Sequence, residues 1–210
     1  MPGMAASPRT FERIKLPEAH FEMHWLSWKL PKIDESLVDY AKRMAEDIIH
    51  ENVILIGVSF GGILVQEMQN FVKTKQIVLI SSVKSHSELP KRMHVAQETG
   101  LYKILPTGLL NYLDQIERLP VGDSIRKRIE LYKNYMVMND KLYLDWAIDK
   151  VLNWKNTNST ENLIHIQGDE DVVFPIKNIS DCITIKGGTH LMILNRFRWF
   201  NEHLPQLLKH

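Results

Sequence analysis

The chemistry of this chain is most visible at one serine. Residues Gly57-Val58-Ser59-Phe60-Gly61-Gly62 follow the apolar run Asn52 to Val58 (NVILIGV) and open a stretch with helical character, Phe60 to Lys73. Gly57, Ser59 and Gly61 therefore satisfy G-x-S-x-G where a strand turns into a helix. The spacing has a steric reason: in so tight a turn the residues two before and two after the serine must lack side chains for the backbone to pass. Read as a plain packing turn or a phosphate-binding loop, the stretch would need neither the serine nor partners, and no G-x-x-x-x-G-K-[ST] or G-x-G-x-x-G accompanies it. A serine hydroxyl is a weak nucleophile at neutral pH, so it needs a base and an acid that orients the base. Both follow in chain order. The run Asn162 to Gln167 (NLIHIQ) leads into Gly168-Asp169-Glu170-Asp171-Val172-Val173-Phe174-Pro175, and the run Cys182 to Lys186 (CITIK) leads into Gly187-Gly188-Thr189-His190. Ser59 as nucleophile, His190 as base and one of the two aspartates as acid would carry out acyl transfer.

Such a site requires three strands that deliver their carboxyl ends to one edge of a sheet. Asn52 to Val58, Gln76 to Val83 (QIVLISSV), Asn162 to Gln167 and Cys182 to Lys186 are continuous apolar runs, the pattern of strands covered on both faces in a parallel sheet. An earlier strand is expected over Phe21 to Trp28. Helices are expected between the strands. Ser7-Pro8 reads as an N-cap followed by proline at the first helical position. Asp34-Glu35-Ser36-Leu37 opens an amphipathic helix with Leu37, Tyr40, Ala41, Met44 and Ile48 on one face, and Ser36 with Asp39 resembles a capping box. A terminal helix carries Ile193, Leu194, Phe197, Trp199, Phe200 and Leu204. Alternating strands and helices predict a doubly wound, mostly parallel α/β sheet. The alternation breaks from about Lys84 to Thr160, where Tyr102 to Leu113, Ser124 to Met138 and Lys141 to Trp154 read as helices of an insertion. Its aromatic residues, among them Tyr102, Tyr135, Tyr143, Trp146 and Trp154, are expected to pack helices rather than touch substrate.

The 210 residues suit one domain, and 26 Lys+Arg against 25 Asp+Glu leave a charge of +1. No global field would hold nucleic acid or an anionic membrane, and the run Arg126-Lys127-Arg128 reads as the solvated side of a helix. The single cysteine, Cys182, forms no internal disulfide, and neither a membrane span nor a signal peptide is visible, so a cytoplasmic protein is expected. His20 and His24 have i, i+4 spacing but fall at or in a predicted strand, where period two governs, so no metal site is expected there. His165 reads as a core residue, and His50, His86, His94, His203 and His210 show no partner in sequence. No metal and no cofactor is expected.

Taken together, these motifs resemble the α/β-hydrolase family across nearly the whole chain. Pro2-Gly3-Met4 is similar to its oxyanion loop, Gly57 to Gly62 to its nucleophile elbow, residues 84 to 160 to its helical lid, Gly168 to Pro175 to its acid loop and Gly188-Thr189-His190 to its histidine loop. The resemblance implies a single domain with core segments 1–83 and 161–210 and a lid at 84–160. It implies that Asp171, three residues after Gly168, is the acid, with Asp169 as rival, and that the backbone N–H groups of Met4 and Phe60 form the oxyanion hole. The Phe60 side chain would shape the acyl pocket or simply pack the helix. The activity implied is cofactor-independent serine hydrolysis of a carboxylic ester or related small acyl substrate, by a monomer or homodimer. A thioester, lactone or carbon–carbon bond beside a carbonyl would suit the same triad, and a binding protein without turnover is the reading from another class. The family's usual strand before the oxyanion loop has no counterpart ahead of Met1. A short β-branched strand upstream is therefore expected, with Met1 to Ala6 otherwise tethered only through the helix near Ser7.

Overall fold

The computed structural model describes residues 1–100, 102, 130, 133–156 and 162–208. Four strands, β1 (Val53–Val58), β2 (Thr74–Ile80), β3 (Leu163–Gly168) and β4 (Ile183–Ile185), form one sheet in the order β1-β2-β3-β4, and every pairing is parallel. Register sets Leu55 beside Ile77, Val58 beside Ile80, Ile80 beside Ile166 and Ile166 beside Ile183. Because side chains alternate along a strand, Ile77 and Leu79 enter one core with Leu55, while Val78 and Ile80 enter another with Val58, Ile166 and Ile185. Two filled faces explain the unbroken apolar runs in the sequence.

The first face is covered by α1 (Leu37–Ala45), α2 (Phe60–Met68) and α4 (Lys141–Asn153), the second by the short α5 (Met192–Asn195), α6 (Phe197–Leu207) and a 3-10 turn at Pro8–Phe11 capped by Ser7. The capping expected for α1 forms: Ser36 Oγ accepts from the Asp39 N–H at 3.0 Å and donates to the Asp39 carboxylate at 2.6 Å. Helix α2 stops at Met68 rather than Lys73, because the side-chain amides of Gln69 and Asn70 donate back to the carbonyls of Gln66 and Glu67 and turn the chain toward β2. A further helix, α3 (Lys91–Thr99), and α4 belong to the expected insertion. Tyr143, Trp146 and Trp154 are buried in the core, as expected of packing residues. The predicted helices Tyr102 to Leu113 and Ser124 to Met138 lie mostly outside the described residues, as do Arg126-Lys127-Arg128 and His210. Among the described residues no helix is long and apolar enough to cross a membrane.

The strand expected over Phe21 to Trp28 does not form; these residues are irregular backbone. A strand exists only by pairing, and the outer edge of β1 is taken at its carboxyl end by Met1, whose amine donates to the Ile56 carbonyl at 2.6 Å and whose carbonyl accepts from the Val58 N–H at 3.1 Å. Burial pushes the Met1 amine down to about 5. Residues 20–29 stand across a groove of about 880 Å³ whose other wall is β1.

Candidate active site

Ser59 sits between the last residue of β1 and the first of α2 with φ 52° and ψ −122°, the strained backbone that the glycine spacing was expected to permit. A Cβ on Gly57 would strike the backbone of Gly61 and Gly62, and one on Gly61 would strike the Pro2 carbonyl. The glycines thus let the turn close and let residues 1–3 lie directly on it. The Ser59 N–H donates to the Ile80 carbonyl at 3.0 Å, and the Ser82 hydroxyl donates to the Ser59 carbonyl at 2.7 Å, so β2 and the loop after it hold the turn from behind.

The loops after β3 and β4 reach the same edge. A Cβ on Gly168 would strike Gly188, so the two loops pack backbone on backbone. His190 lies with Nε2 2.9 Å from Ser59 Oγ and Nδ1 2.9 Å from Asp171 Oδ2. The Asp171 side chain is fully buried, and the other donors to it are the Gln167 amide at 2.9 Å on Oδ2 and the N–H groups of Val173 and Phe174 at 2.8 and 3.0 Å on Oδ1. A carboxylate that accepts at Nδ1 fixes the imidazole proton there and leaves Nε2 free to receive the serine proton. The rival, Asp169, is exposed and accepts from the Gly187 N–H at 2.6 Å, tying the two loops together. That is the backbone-bonding role turn aspartates commonly have.

The loop Pro2-Gly3-Met4 lies against Ser59, with a Cβ on Gly3 falling 3.5 Å from Ser59 Cβ. Its tether is more than the turn near Ser7, which corrects the expectation from sequence. Met1 pairs with β1, the Trp28 indole donates to the Gly3 carbonyl at 2.7 Å, the Ala5 N–H donates to the Tyr143 hydroxyl at 3.1 Å, and the Ala5 carbonyl accepts from Val137 and Met138. Ala5, in left-handed backbone at φ 61°, makes the sharp turn. The Phe60 N–H, at the first position of α2, belongs to the orphan donors of a helix start, where the dipole favours negative charge. The Phe60 side chain is buried, stacked on Trp28 at 5.0 Å, and packs the core.

Sequence reasoning brought Ser59, Asp171 and His190 together but missed Trp28, Ser82, Tyr143 and Gln167, whose contacts join residues that no motif links. Behind the site His165 is buried, its Nε2 3.1 Å from the Ser82 carbonyl, and desolvation lowers it to about 4. His20 and His24 share i, i+4 spacing in the sequence, but the structure groups His24 with Glu22 and His50. The 880 Å³ groove has none of Ser59, Asp171 and His190 in its walls.

No family model and no curated protein matches the chain. Solved structures do. A hydrolase from Pseudomonas aeruginosa superposes with a TM-score of 0.66 at 12% identity, covering 100% of this chain and 88% of that one. This is the α/β-hydrolase fold. The same fold is shared with a thermophilic esterase from Thermogutta terrifontis, at TM-score 0.62, 12% identity and coverage of 99% and 89%. A bromoperoxidase from Bacillus anthracis follows at TM-score 0.57, 16% identity and coverage of 100% and 92%. In this α/β-hydrolase fold, Ser59, Asp171 and His190 occupy loops at the carboxyl ends of β1, β3 and β4.

Proposed function

We propose that the protein is a cofactor-independent serine hydrolase acting on a carboxylic ester or related small acyl compound. The observation that carries this reading is the unbroken line Ser59 Oγ, His190, Asp171, with 2.9 Å on each side of the imidazole. Ser59 Oγ attacks the acyl carbon and its proton passes to His190 Nε2. The oxyanion takes hydrogen bonds from the backbone N–H groups of Met4 and Phe60. Collapse of the tetrahedral intermediate expels the alcohol, which takes the proton from Nε2. Water then adds to the acyl-enzyme, giving its proton to His190, and the acid leaves with Ser59 restored. Asp171 keeps the imidazole in the tautomer that can accept. The insertion at 84–160 serves as a lid over the acyl site, and the protein works in the cytoplasm as a monomer or homodimer.

A fluorophosphonate tests the reading directly, because only an activated serine reacts quickly. The expected result is stoichiometric labelling of Ser59, lost in Ser59→Ala, together with turnover of activated esters whose rate depends on acyl length. Absence of labelling in folded protein would favour a binding protein on the hydrolase fold. Labelling with turnover confined to thioesters or lactones would keep the triad and change the bond.

A further inference from the structure

We propose a second site, for a divalent transition-metal ion of the Zn²⁺ class, made by Glu22, His24 and His50 at the rim of the groove beside β1. It is independent of the catalytic reading. His24 and Glu22 lie on the irregular segment opposite β1, and His50 lies just before β1. His24 Nε2 is 3.1 Å from Glu22 Oε1, and the His24 and His50 rings approach to 3.7 Å between centroids. One ligand atom from each of the three residues lies within 4.8 Å of the others. A tetrahedral ion with bonds of about 2.0 to 2.2 Å sets its ligand atoms roughly 3.3 Å apart. Glu22 and His24 already stand at that separation, and rotation of exposed side chains closes the rest.

The donor set selects the ion. Two imidazoles and a carboxylate suit Zn²⁺, Co²⁺, Ni²⁺ or Cu²⁺, whereas Ca²⁺ and Mg²⁺ demand oxygen ligands. Three protein ligands leave a coordination position for water. The position in the fold gives binding a consequence. Residues 20–29 make no ladder with β1, and a metal bridging His24 to His50 would supply the cross-link that strand pairing does not. Trp28, four residues beyond His24, bonds the Gly3 carbonyl and stacks on Phe60, so the clamped segment is the one that holds the loop beside Ser59.

The test uses the 210-residue chain, freed of any purification tag and of metal, titrated with Zn²⁺ and with Co²⁺. Expected are one equivalent bound with a Kd on the order of 10 μM and visible absorption of four-coordinate Co²⁺. Thermal midpoint should rise by roughly 5 to 10 °C at a hundredfold excess over Kd. His24→Ala and His50→Ala should each weaken binding at least about tenfold and remove the thermal shift, and Glu22→Gln should weaken it less; His190→Ala and His203→Ala should bind as the parent does. Circular dichroism of each apo variant establishes that it is folded. No saturable binding below about 1 mM, or undiminished binding in folded His24→Ala and His50→Ala, would overturn the proposal.

Discussion

Replacing Asp171 by asparagine exchanges one atom, and the structure dictates which way the new amide must turn. The Val173 and Phe174 N–H groups both point at Oδ1, at 2.8 and 3.0 Å, and belong to backbone that cannot rotate away. The amide oxygen must therefore take that position, and the NH2 group falls where Oδ2 stood, 2.9 Å from His190 Nδ1. An NH2 donates, so Nδ1 becomes the acceptor and the imidazole proton moves to Nε2. There it faces Ser59 Oγ and cannot receive the serine proton. The wrong tautomer is expected to cost about 10⁴ in kcat, close to 5.5 kcal/mol of barrier. The same NH2 meets the Gln167 amide, a donor now 2.9 Å from a donor, so folding stability should also fall by about 1 to 3 kcal/mol. Asp169→Asn keeps an oxygen for the Gly187 N–H and should cost less than about tenfold in kcat. Steady-state kinetics on an activated ester, with thermal unfolding of each variant, provides the measurement. An Asp171→Asn enzyme within tenfold of the parent, or a larger loss in Asp169→Asn, would refute the assignment.

On the proposed mechanism Ser59→Ala and His190→Ala should each lower kcat by about 10⁴ to 10⁶, with the double variant little worse, because members of a triad act as a unit; additive losses in single-turnover kinetics would contradict this. Trp28→Phe keeps a ring against Phe60 but removes the donor to the Gly3 carbonyl, which retains the Ala6 N–H at 3.1 Å. It should cost about 1 to 2 kcal/mol, roughly 2 to 8 °C in Tm, and lower kcat by about 3 to 30-fold with little change in KM. A fall in Tm with kcat untouched would show that the loop is held without the indole. His165 is held neutral by burial, so the unfolded chain binds the extra proton between its ordinary 6.5 and the folded value of about 4. Stability should therefore fall as pH drops through that window, by about 2 kcal/mol between pH 7 and 5, and His165→Gln should flatten this share of the profile in urea unfolding.

Much of the candidate site was legible in the sequence because its information is local. The elbow is a backbone conformation that only glycine neighbours allow, the inner strands β2 and β3 are apolar runs covered on both faces, and the loops that carry Asp171 and His190 follow strand ends in the required order. Preferring Asp171 to Asp169 drew on a family spacing; in the fold the buried Asp171 meets the His190 imidazole, whereas the exposed Asp169 ties two loops. What sequence reading misjudged depends on neighbours distant along the chain. Phe21 to Trp28 has the composition of a strand, yet pairing is a property of two segments, and the outer edge of β1 is met at its carboxyl end by Met1. Trp28 and Tyr143 fasten the loop beside Ser59 across 25 and 138 residues, and His50 meets His24 across a groove. Local propensity and periodicity specify which elements form; the partner each polar atom finds is decided only when the sheet and its covering helices bring remote residues within hydrogen-bond reach.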